Sequence, residues 1–350
     1  MAYSAFKSLL FKLEAERAHE LATGSLAVAQ RSRKLRALWR RRWATSDPRL
    51  EQSLLGLRFA NPVGIAAGFD KNARLVPALA AFGFGAVEVG TVTPLPQPGN
   101  PRPRLWRHPE ARSLQNCLGF NSEGMEAVAA NLDRLDCHPV PVGINLGKNK
   151  ETDQAAAQAD YEALLARFAT QADYFVLNIS SPNTPRLREL QAPSFVSAVL
   201  AAAENITPAP VLVKIAPDMP LSAAAELGRA AVAAGAAGVI ATNTTTDYSM
   251  LPDVRQVGGL SGGILRDRSY AMLQALGRAL AGKTCLISVG GVDSAAEAYR
   301  RLKAGASLVQ LYSALVYDGP GLPGRINRGL IECLESDGFA NVTEAIGADL

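Results

Sequence analysis

Seven residues, Asn178-Ile179-Ser180-Ser181-Pro182-Asn183-Thr184, bring together two amides, two serine hydroxyls and a threonine. Pro182 and Pro185 stiffen the stretch, because the ring fixes φ and biases the preceding residue towards an extended shape. Just before it runs Tyr174-Phe175-Val176-Leu177, an apolar segment rich in aromatic and branched residues. That composition suits a strand buried on both faces of a parallel sheet. A rigid polar loop at the end of a buried strand can hold a planar polar ligand. Read alone, it is equally an Asn/Ser/Pro turn.

The same juxtaposition recurs. Strands are expected at Val63–Ala67, Ala86–Gly90, Val142–Asn145, Tyr174–Asn178, Val211–Ile215, Gly238–Thr242, Leu286–Val289 and Leu308–Tyr312. At or after their ends stand, in order, Gly68, Asp70 and Lys71; Thr91; Asn145 and Lys148; Asn178; Lys214; Thr242-Asn243-Thr244; Gly290-Gly291; and Tyr312-Ser313. Ala/Leu-rich helical stretches fall between most strands, among them 155–170, 194–203, 221–234, 270–281 and 294–304. This alternation means a parallel sheet. Eight repeats without a composition break favour an α/β fold closed into a (β/α)8 TIM barrel. Barrel loops at the C-terminal strand ends converge on one mouth, so the eight polar positions converge there too.

Barrels commonly build a phosphate site after strands seven and eight, where Gly290-Gly291 and Tyr312-Ser313 stand. Lys71 and Lys214 suit anionic or electron-rich parts of a ligand. The amides of Asn145 and Asn178 donate and accept at once, as the edge of a flavin or pyrimidine requires. No G-x-G-x-x-G follows a first strand. The three histidines, His19, His108 and His138, form no cluster with carboxylates, so no metal is expected. A long loop, Thr93 to Cys117, opens with a proline-rich run that cannot be helical and ends at Asn116-Cys117-Leu118-Gly119-Phe120-Asn121. It is either a surface Ω-loop or a wall carrying Asn116 to the ligand.

Of 350 residues 48% are hydrophobic and 19% charged, which excludes a disordered chain. Cys117, Cys137, Cys285 and Cys333 are scattered, as free thiols of a reducing compartment would be. Asn205-Ile206-Thr207 is a chance glycosylation triplet, and no run of about 18 apolar residues exists to span a membrane. Charge is uneven: residues 1–43 hold ten Lys/Arg against three Asp/Glu, while the remainder is net negative. Phe6, Leu9, Leu10 and Leu13 share one helical face. After an expected break at Thr23-Gly24-Ser25, Leu35, Leu38, Trp39 and Trp43 make a second stripe, crowded by seven basic residues between Arg31 and Arg42. This segment reads as a helix in a membrane interface, as a helical pair packed on the main domain, or as a basic nucleic-acid arm. Glu14, Glu16 and Glu20 argue against a transit peptide.

Several blocks together resemble the signatures of dihydroorotate dehydrogenases. They are Ala67-Gly68-Phe69-Asp70-Lys71-Asn72, Glu88-Val89-Gly90-Thr91-Val92-Thr93-Pro94, Asn116 to Asn121, Gly143 to Lys150 and Asn178 to Thr184. Val213 to Asp218, Ala241 to Thr245 and Gly258 to Gly262 continue the series in the right order. The resemblance is to class 2, the membrane-associated, quinone-dependent form. Class 1 places Cys at the catalytic base, where Ser181 stands here, and lacks the N-terminal helices. A departure is Ser261-Gly262-Gly263-Ile264, where relatives often carry a bulkier residue or Pro, expected to affect loop stiffness more than chemistry.

The resemblance implies FMN on the barrel mouth, held by Ala67, Gly68, Phe69, Asp70, Lys71, Thr91, Asn145, Asn178, Lys214, Thr242, Gly262, Gly291, Tyr312 and Ser313. It implies a substrate site at Lys71, Asn116, Cys117, Leu118, Gly119, Phe120, Asn178, Asn183, Asn243 and Thr244. Ser181 would take the C5 proton of dihydroorotate, Thr184 would relay it and Lys71 would stabilise developing charge. His19, Arg107 and Tyr312 would lie along the quinone path. Residues 1–45 would form the membrane and quinone unit, 46–338 the FMN barrel and 339–350 a tail. The implied partners are dihydroorotate and orotate, a membrane quinone and a bilayer surface, with no nucleic acid. A monomer at the cytoplasmic face of the cell membrane is implied. Alternatives are a class 1-like enzyme with a soluble acceptor, or a membrane-tethered binder of phosphate ligands that performs no chemistry.

Overall fold

The computed structural model describes residues 2–280 and 282–350, with only the backbone of residue 2 and residues 4–6. Three helices lead, α1 Ala2–Leu10, α2 Ala15–Ala29 and α3 Arg33–Trp43. Then eight parallel strands close into one barrel: β1 Val63–Ile65, β2 Ala86–Val92, β3 Val142–Leu146, β4 Tyr174–Asn178, β5 Val211–Ile215, β6 Gly238–Ala241, β7 Cys285–Val289 and β8 Leu308–Leu311. They are neighbours in chain order, and β8 pairs back onto β1. Every expected strand is present. Helices α4 Val76–Ala81, α5 Met125–Leu132, α6 Ala157–Phe168, α7 Pro193–Ile206, α8 Leu221–Ala233, α9 Arg266–Leu280 and α10 Ala295–Lys303 ring the barrel. The expected end of α9 at Ala281 and the Phe6 side chain lie outside the described residues.

Strand side chains alternate faces. Val63, Ile65, Val87, Val89, Ile144, Phe175 and Val213 point outward into the helix layer. Ala86, Tyr174, Val176, Leu212, Ile240 and Ile287 belong to a second cluster inside the barrel. Burying each large side chain contributes about 1.5–3 kcal/mol. Phe59, from the hairpin Gln52–Leu54/Leu57–Phe59, joins the inner cluster and closes the N-terminal end. By the same alternation Glu88, Asn145, Lys214 and Gln310 share the inward face, and all four are buried.

The segment after β2 is a wall rather than an Ω-loop. Beyond its prolines, Leu105–His108 and Ser113–Asn116 pair as an antiparallel hairpin. Gly259–Gly262, from the loop after β6, adds a third strand to Ser113–Asn116. Gly262 has φ +101°, and a Cβ there would stand 2.6 Å from the Arg112 carbonyl oxygen, so only glycine fits.

Two N-terminal expectations are corrected. Thr23-Gly24-Ser25 does not break the helix: Thr23 Oγ1 donates to the His19 carbonyl and Ser25 Oγ to that of Leu21, both at 2.8 Å, so the hydroxyls bond within α2. The break comes at residues 30–32, and Ser32 caps α3. The Trp stripe packs on the main domain, one of the arrangements left open by the sequence. Trp39 and Trp43 pack edge-on against Phe82, with centroids at 5.5 and 5.1 Å. Gly324, in a further helix α11 over Leu322–Asp337, sits so close to Trp43 that a Cβ would meet its carbonyl oxygen at 1.7 Å. The basic face of α3 and Leu35 and Leu38 stay exposed. Leu13 lies past the end of α1, in the turn to α2.

Helix α2 is clamped by a buried ion pair between Glu16 and Arg104, whose Nη1 also donates to the carbonyls of Pro98 and Asn100 at 2.6 and 2.7 Å. The segment from 339 onward packs on the barrel: Val342 and Ala345 are buried, and Asp349 N donates to the Lys303 carbonyl at 2.9 Å. Among the described residues no helix is long and apolar enough to cross a membrane, and no His/Cys/Asp/Glu cluster can hold a metal.

Candidate active site

A cleft of about 1140 Å³, counting its open mouth, lies over the C-terminal strand ends. Every strand but β3 sends it a polar or glycine-rich edge. Ala67, Gly68 and Lys71 come from β1 and Thr91 from β2; Asn178, Ser181 and Asn183 come from β4, and Lys214 from β5. Thr242, Asn243 and Thr244 follow β6, Gly290 and Gly291 follow β7, and Tyr312 and Ser313 follow β8. The wall contributes Asn116, Leu118, Gly119 and Phe120, and the third strand contributes Ser261 and Gly262.

Five sequence candidates stand back from that surface. Asn145 is fully buried beneath it. Asp70 turns its carboxylate onto the backbone N–H groups of Arg74 and Leu75, at 2.8 and 2.7 Å, and burial still raises its pKa. Cys117 is held by its backbone between Arg104 and Asn100, with its thiol pKa raised by burial. Phe69 packs between His19 and Tyr312. Thr184 is buried, and its Oγ1 has no hydrogen-bond partner.

The floor is an amide network. Asn145 Nδ2 donates to Glu88 Oε1 at 2.7 Å. Thr91 Oγ1 and Asn178 Nδ2 donate to Asn145 Oδ1 at 2.6 and 2.9 Å. Asn243 Nδ2 donates to Asn178 Oδ1 at 3.2 Å and to Ser180 Oγ at 3.1 Å. Above it, Asn183 Nδ2 donates to Asn116 Oδ1 at 2.8 Å, joining the β4 loop to the wall. Asn183 Oδ1 and Thr244 Oγ1 are buried without partners. Buried polar atoms normally find partners, so this pair marks where a ligand's polar edge fits. Ser181, only 5% exposed, accepts the Asn183 N–H at its Oγ at 3.2 Å.

Two cations face the same space. Burial lowers the Lys71 pKa to about 8, partly offset by Glu16. Lys214 Nζ stands 3.7 Å from the buried Glu88 carboxylate. Positive charge, a glycine edge and amides that both donate and accept fit the anionic phosphate and the polar ring edge of FMN. At Gly291, φ +74°, a Cβ would come 2.6 Å from Arg266 Cα, which keeps that edge bare.

His19 does not reach the cleft directly. Its ring stands 5.3 Å from that of Phe69, which stands 6.0 Å from that of Tyr312, making an aromatic column from α2 to the mouth. Burial, with Lys71 nearby, lowers the His19 pKa to about 3. Arg107 donates to the carbonyls of Phe11 and Leu13, at 3.3 and 3.1 Å, and lies over the Phe11 ring. It lines a second cavity of about 760 Å³ between the α1–α2 turn and the wall.

Sequence reasoning missed Glu88, Gln310 and Arg188. The first two carried a signal, a charged or polar residue inside Ala86–Val92 and Leu308–Leu311, runs otherwise apolar or small. Arg188 carried none. It donates to the carbonyls of Ser180 and Thr244, at 3.0 and 2.8 Å, and to Asp218 at 2.7 Å, tying three loops together.

Comparison with known proteins agrees with this geometry. A family model described as dihydroorotate dehydrogenase matches residues 49–334. A curated dihydroorotate dehydrogenase (quinone) of a Sulfurovum species is 51% identical over 348 residues, covering 99% of this chain and 98% of its own length. One of a Nitratiruptor species is 49% identical over 350 residues, covering both chains completely. The crystal structure of DHODH from Eimeria tenella in complex with ferulenol superposes with a TM-score of 0.86 at 34% identity, covering 95% of each chain. Likeness along the whole length, to barrels built the same way, makes this chain a member of the dihydroorotate dehydrogenase family.

Proposed function

We propose that the chain oxidises (S)-dihydroorotate to orotate, a step of pyrimidine biosynthesis, and delivers the electrons through FMN to a membrane quinone. What carries this reading is the company Ser181 keeps: a nearly buried hydroxyl in a cleft with two lysines and several amides, two of its buried polar atoms unpartnered. Dihydroorotate presents a carboxylate and two amide-like edges, which an Asn-rich pocket binds by directed hydrogen bonds.

FMN, when bound, supplies the acceptor for the C6 hydride and the route onward to quinone. The residues of the chain do the rest. Ser181 takes the C5 proton. Serine is a weak base, so it needs activation and a dry site. The Asn183 N–H on its oxygen favours the deprotonated form. As Ser181 takes the C5 proton its own hydroxyl proton leaves, and Thr184, three residues on with a buried, unpartnered hydroxyl oxygen, relays it by accepting that proton while releasing its own. Lys71 supports negative charge developing on the substrate, and Lys214 faces the FMN site from below.

The quinone would approach along His19, Phe69 and Tyr312. A histidine kept neutral by burial brings no charge into such a path. Exposed Leu9, Leu21, Val28, Leu35 and Leu38 on α1–α3, beside the arginines of α3, suit a bilayer surface. The four free thiols suit the cytoplasmic side, and we take the monomer as the working unit.

The test is anaerobic absorbance of the purified yellow protein. Dihydroorotate should bleach the flavin, and quinone, but neither fumarate nor NAD, should restore it. Ser181→Ala should slow bleaching by about 10²- to 10⁴-fold. Bleaching at near-normal rate in that variant removes Ser181 as the base.

A further inference from the structure

Glu88 lies inside the barrel, fully buried, one layer beneath the cleft, and does not line it. Three partners converge on it. Asn145 Nδ2 donates to Oε1 at 2.7 Å and Gln310 Nε2 to Oε2 at 2.5 Å, while Lys214 Nζ stands 3.7 Å from Oε1. A carboxylate facing an ammonium only accepts hydrogen bonds, whereas a side-chain amide can present either end. Whatever faces Glu88 must therefore turn its NH2 group inward.

That constraint propagates. With Asn145 Nδ2 committed to Glu88, Asn145 Oδ1 faces up and accepts from Thr91 and Asn178. Asn178 must then spend its NH2 on Asn145 and Thr91, leaving its Oδ1 to accept from Asn243. Asn243 in turn gives its NH2 to Asn178 and Ser180, and its Oδ1 accepts the Thr244 N–H at 2.8 Å. Each amide in the series is oriented by the one below it, and only the first member of the series lacks a choice.

We propose that Glu88 is a positioning residue which sets the donor–acceptor polarity of the substrate-facing amides and, through Lys214, the charge presented to the flavin. It touches neither substrate nor flavin. Its carboxylate fixes the orientation of Asn145, Asn178 and Asn243, so that the cleft shows one hydrogen-bonding pattern instead of a mixture. The same carboxylate neutralises Lys214, so that the floor of the flavin site is less positive than that lysine alone would make it. The inference rests on the functional reading above.

Glu88→Gln keeps size and shape but can present either an NH2 or an oxygen to Asn145. In the holoenzyme, orotate affinity, read from the perturbation of the flavin spectrum, should fall about ten- to a hundredfold. The flavin midpoint potential should move positive, because a negative charge under the ring is lost. Glu88→Asp, which retains the charge, should hold the potential near that of the unaltered protein and bind orotate better than Glu88→Gln. Thermal unfolding of all three, with and without flavin, separates this from loss of packing. Unchanged orotate affinity and potential in Glu88→Gln overturn the proposal. So do equal losses in both variants that track a lower melting temperature, which would make Glu88 a packing residue. If the unaltered protein neither binds orotate nor bleaches with dihydroorotate, the functional reading fails first and takes this one with it.

Discussion

Glu16 on α2 and Arg104 at the base of the wall form a buried ion pair across 88 residues of sequence, with Arg104 Nη2 at 2.8 Å and Nε at 3.1 Å from the carboxylate. Both side chains are nearly inaccessible. The pair fixes α2, and with it His19, against the loop that carries Asn116. Breaking a buried pair by removing one partner typically costs about 3–5 kcal/mol. Glu16→Gln is therefore expected to lower the denaturation midpoint markedly and to impair quinone reduction more than flavin bleaching by dihydroorotate. Equal loss of both half-reactions would refute a role specific to α2.

Acid should loosen the same region. The native His19 pKa is about 3 against about 6.5 unfolded, so between those values the unfolded chain binds the extra proton. Stability from this group is complete above pH 6.5 and falls as pH drops towards 3, by at most about 1.4 kcal/mol per pH unit. His19→Phe should flatten that part of the melting-temperature profile. An unaltered slope would show that His19 is not buried as a neutral ring.

Membrane attachment should depend on lipid charge. Arg33, Lys34, Arg41 and Arg42 are exposed on α3 and make no ion pair among the described residues. Each basic residue near an anionic surface contributes about 1 kcal/mol, screened by salt. Co-sedimentation with anionic vesicles should exceed that with neutral ones and weaken in salt. Changing these four residues to Gln should release the protein without slowing flavin bleaching. Equal binding to neutral vesicles would assign attachment to the exposed leucines alone.

Arg188 holds three loops in three directions, which lysine cannot copy. Both Arg188→Leu and Arg188→Lys are expected to reduce kcat about tenfold to a hundredfold by loosening Ser180, next to Ser181, and Thr244, at the cleft edge. A Lys variant with full kcat would mean that its charge alone suffices.

The barrel was legible because period-two burial and apolar runs ended by polar residues are local signals. Strand ends placed most of the cleft for the same reason. Less visible was anything decided by distant packing. Trp39 and Trp43 left three readings of their helix open, because that helix alone cannot reveal Phe82 and Gly324 opposite them. Thr23-Gly24-Ser25 read as a break because helix-internal hydroxyl bonding leaves no trace in composition. Asp70 and Cys117 belong to recognisable blocks, yet the Asp70 carboxylate serves the backbone, Cys117 is tied into the wall through its backbone, and neither lines the cleft.

The third strand of the wall has a kinetic consequence. In the closed ring, β2 and β6 stand four strands apart, on opposite sides, and the loops that follow them are hydrogen-bonded through Ser113–Asn116 and Gly259–Gly262. A crossbar therefore links opposite sides of the mouth, with the loops after β3, β4 and β5 on one side and those after β7, β8 and β1, where Phe69 and Tyr312 stand, on the other. The reductant and the oxidant need not queue for one entrance, and neither product has to clear the other's path. Product inhibition of initial rates should then show orotate failing to compete with quinone; orotate competing with quinone would mean a shared doorway.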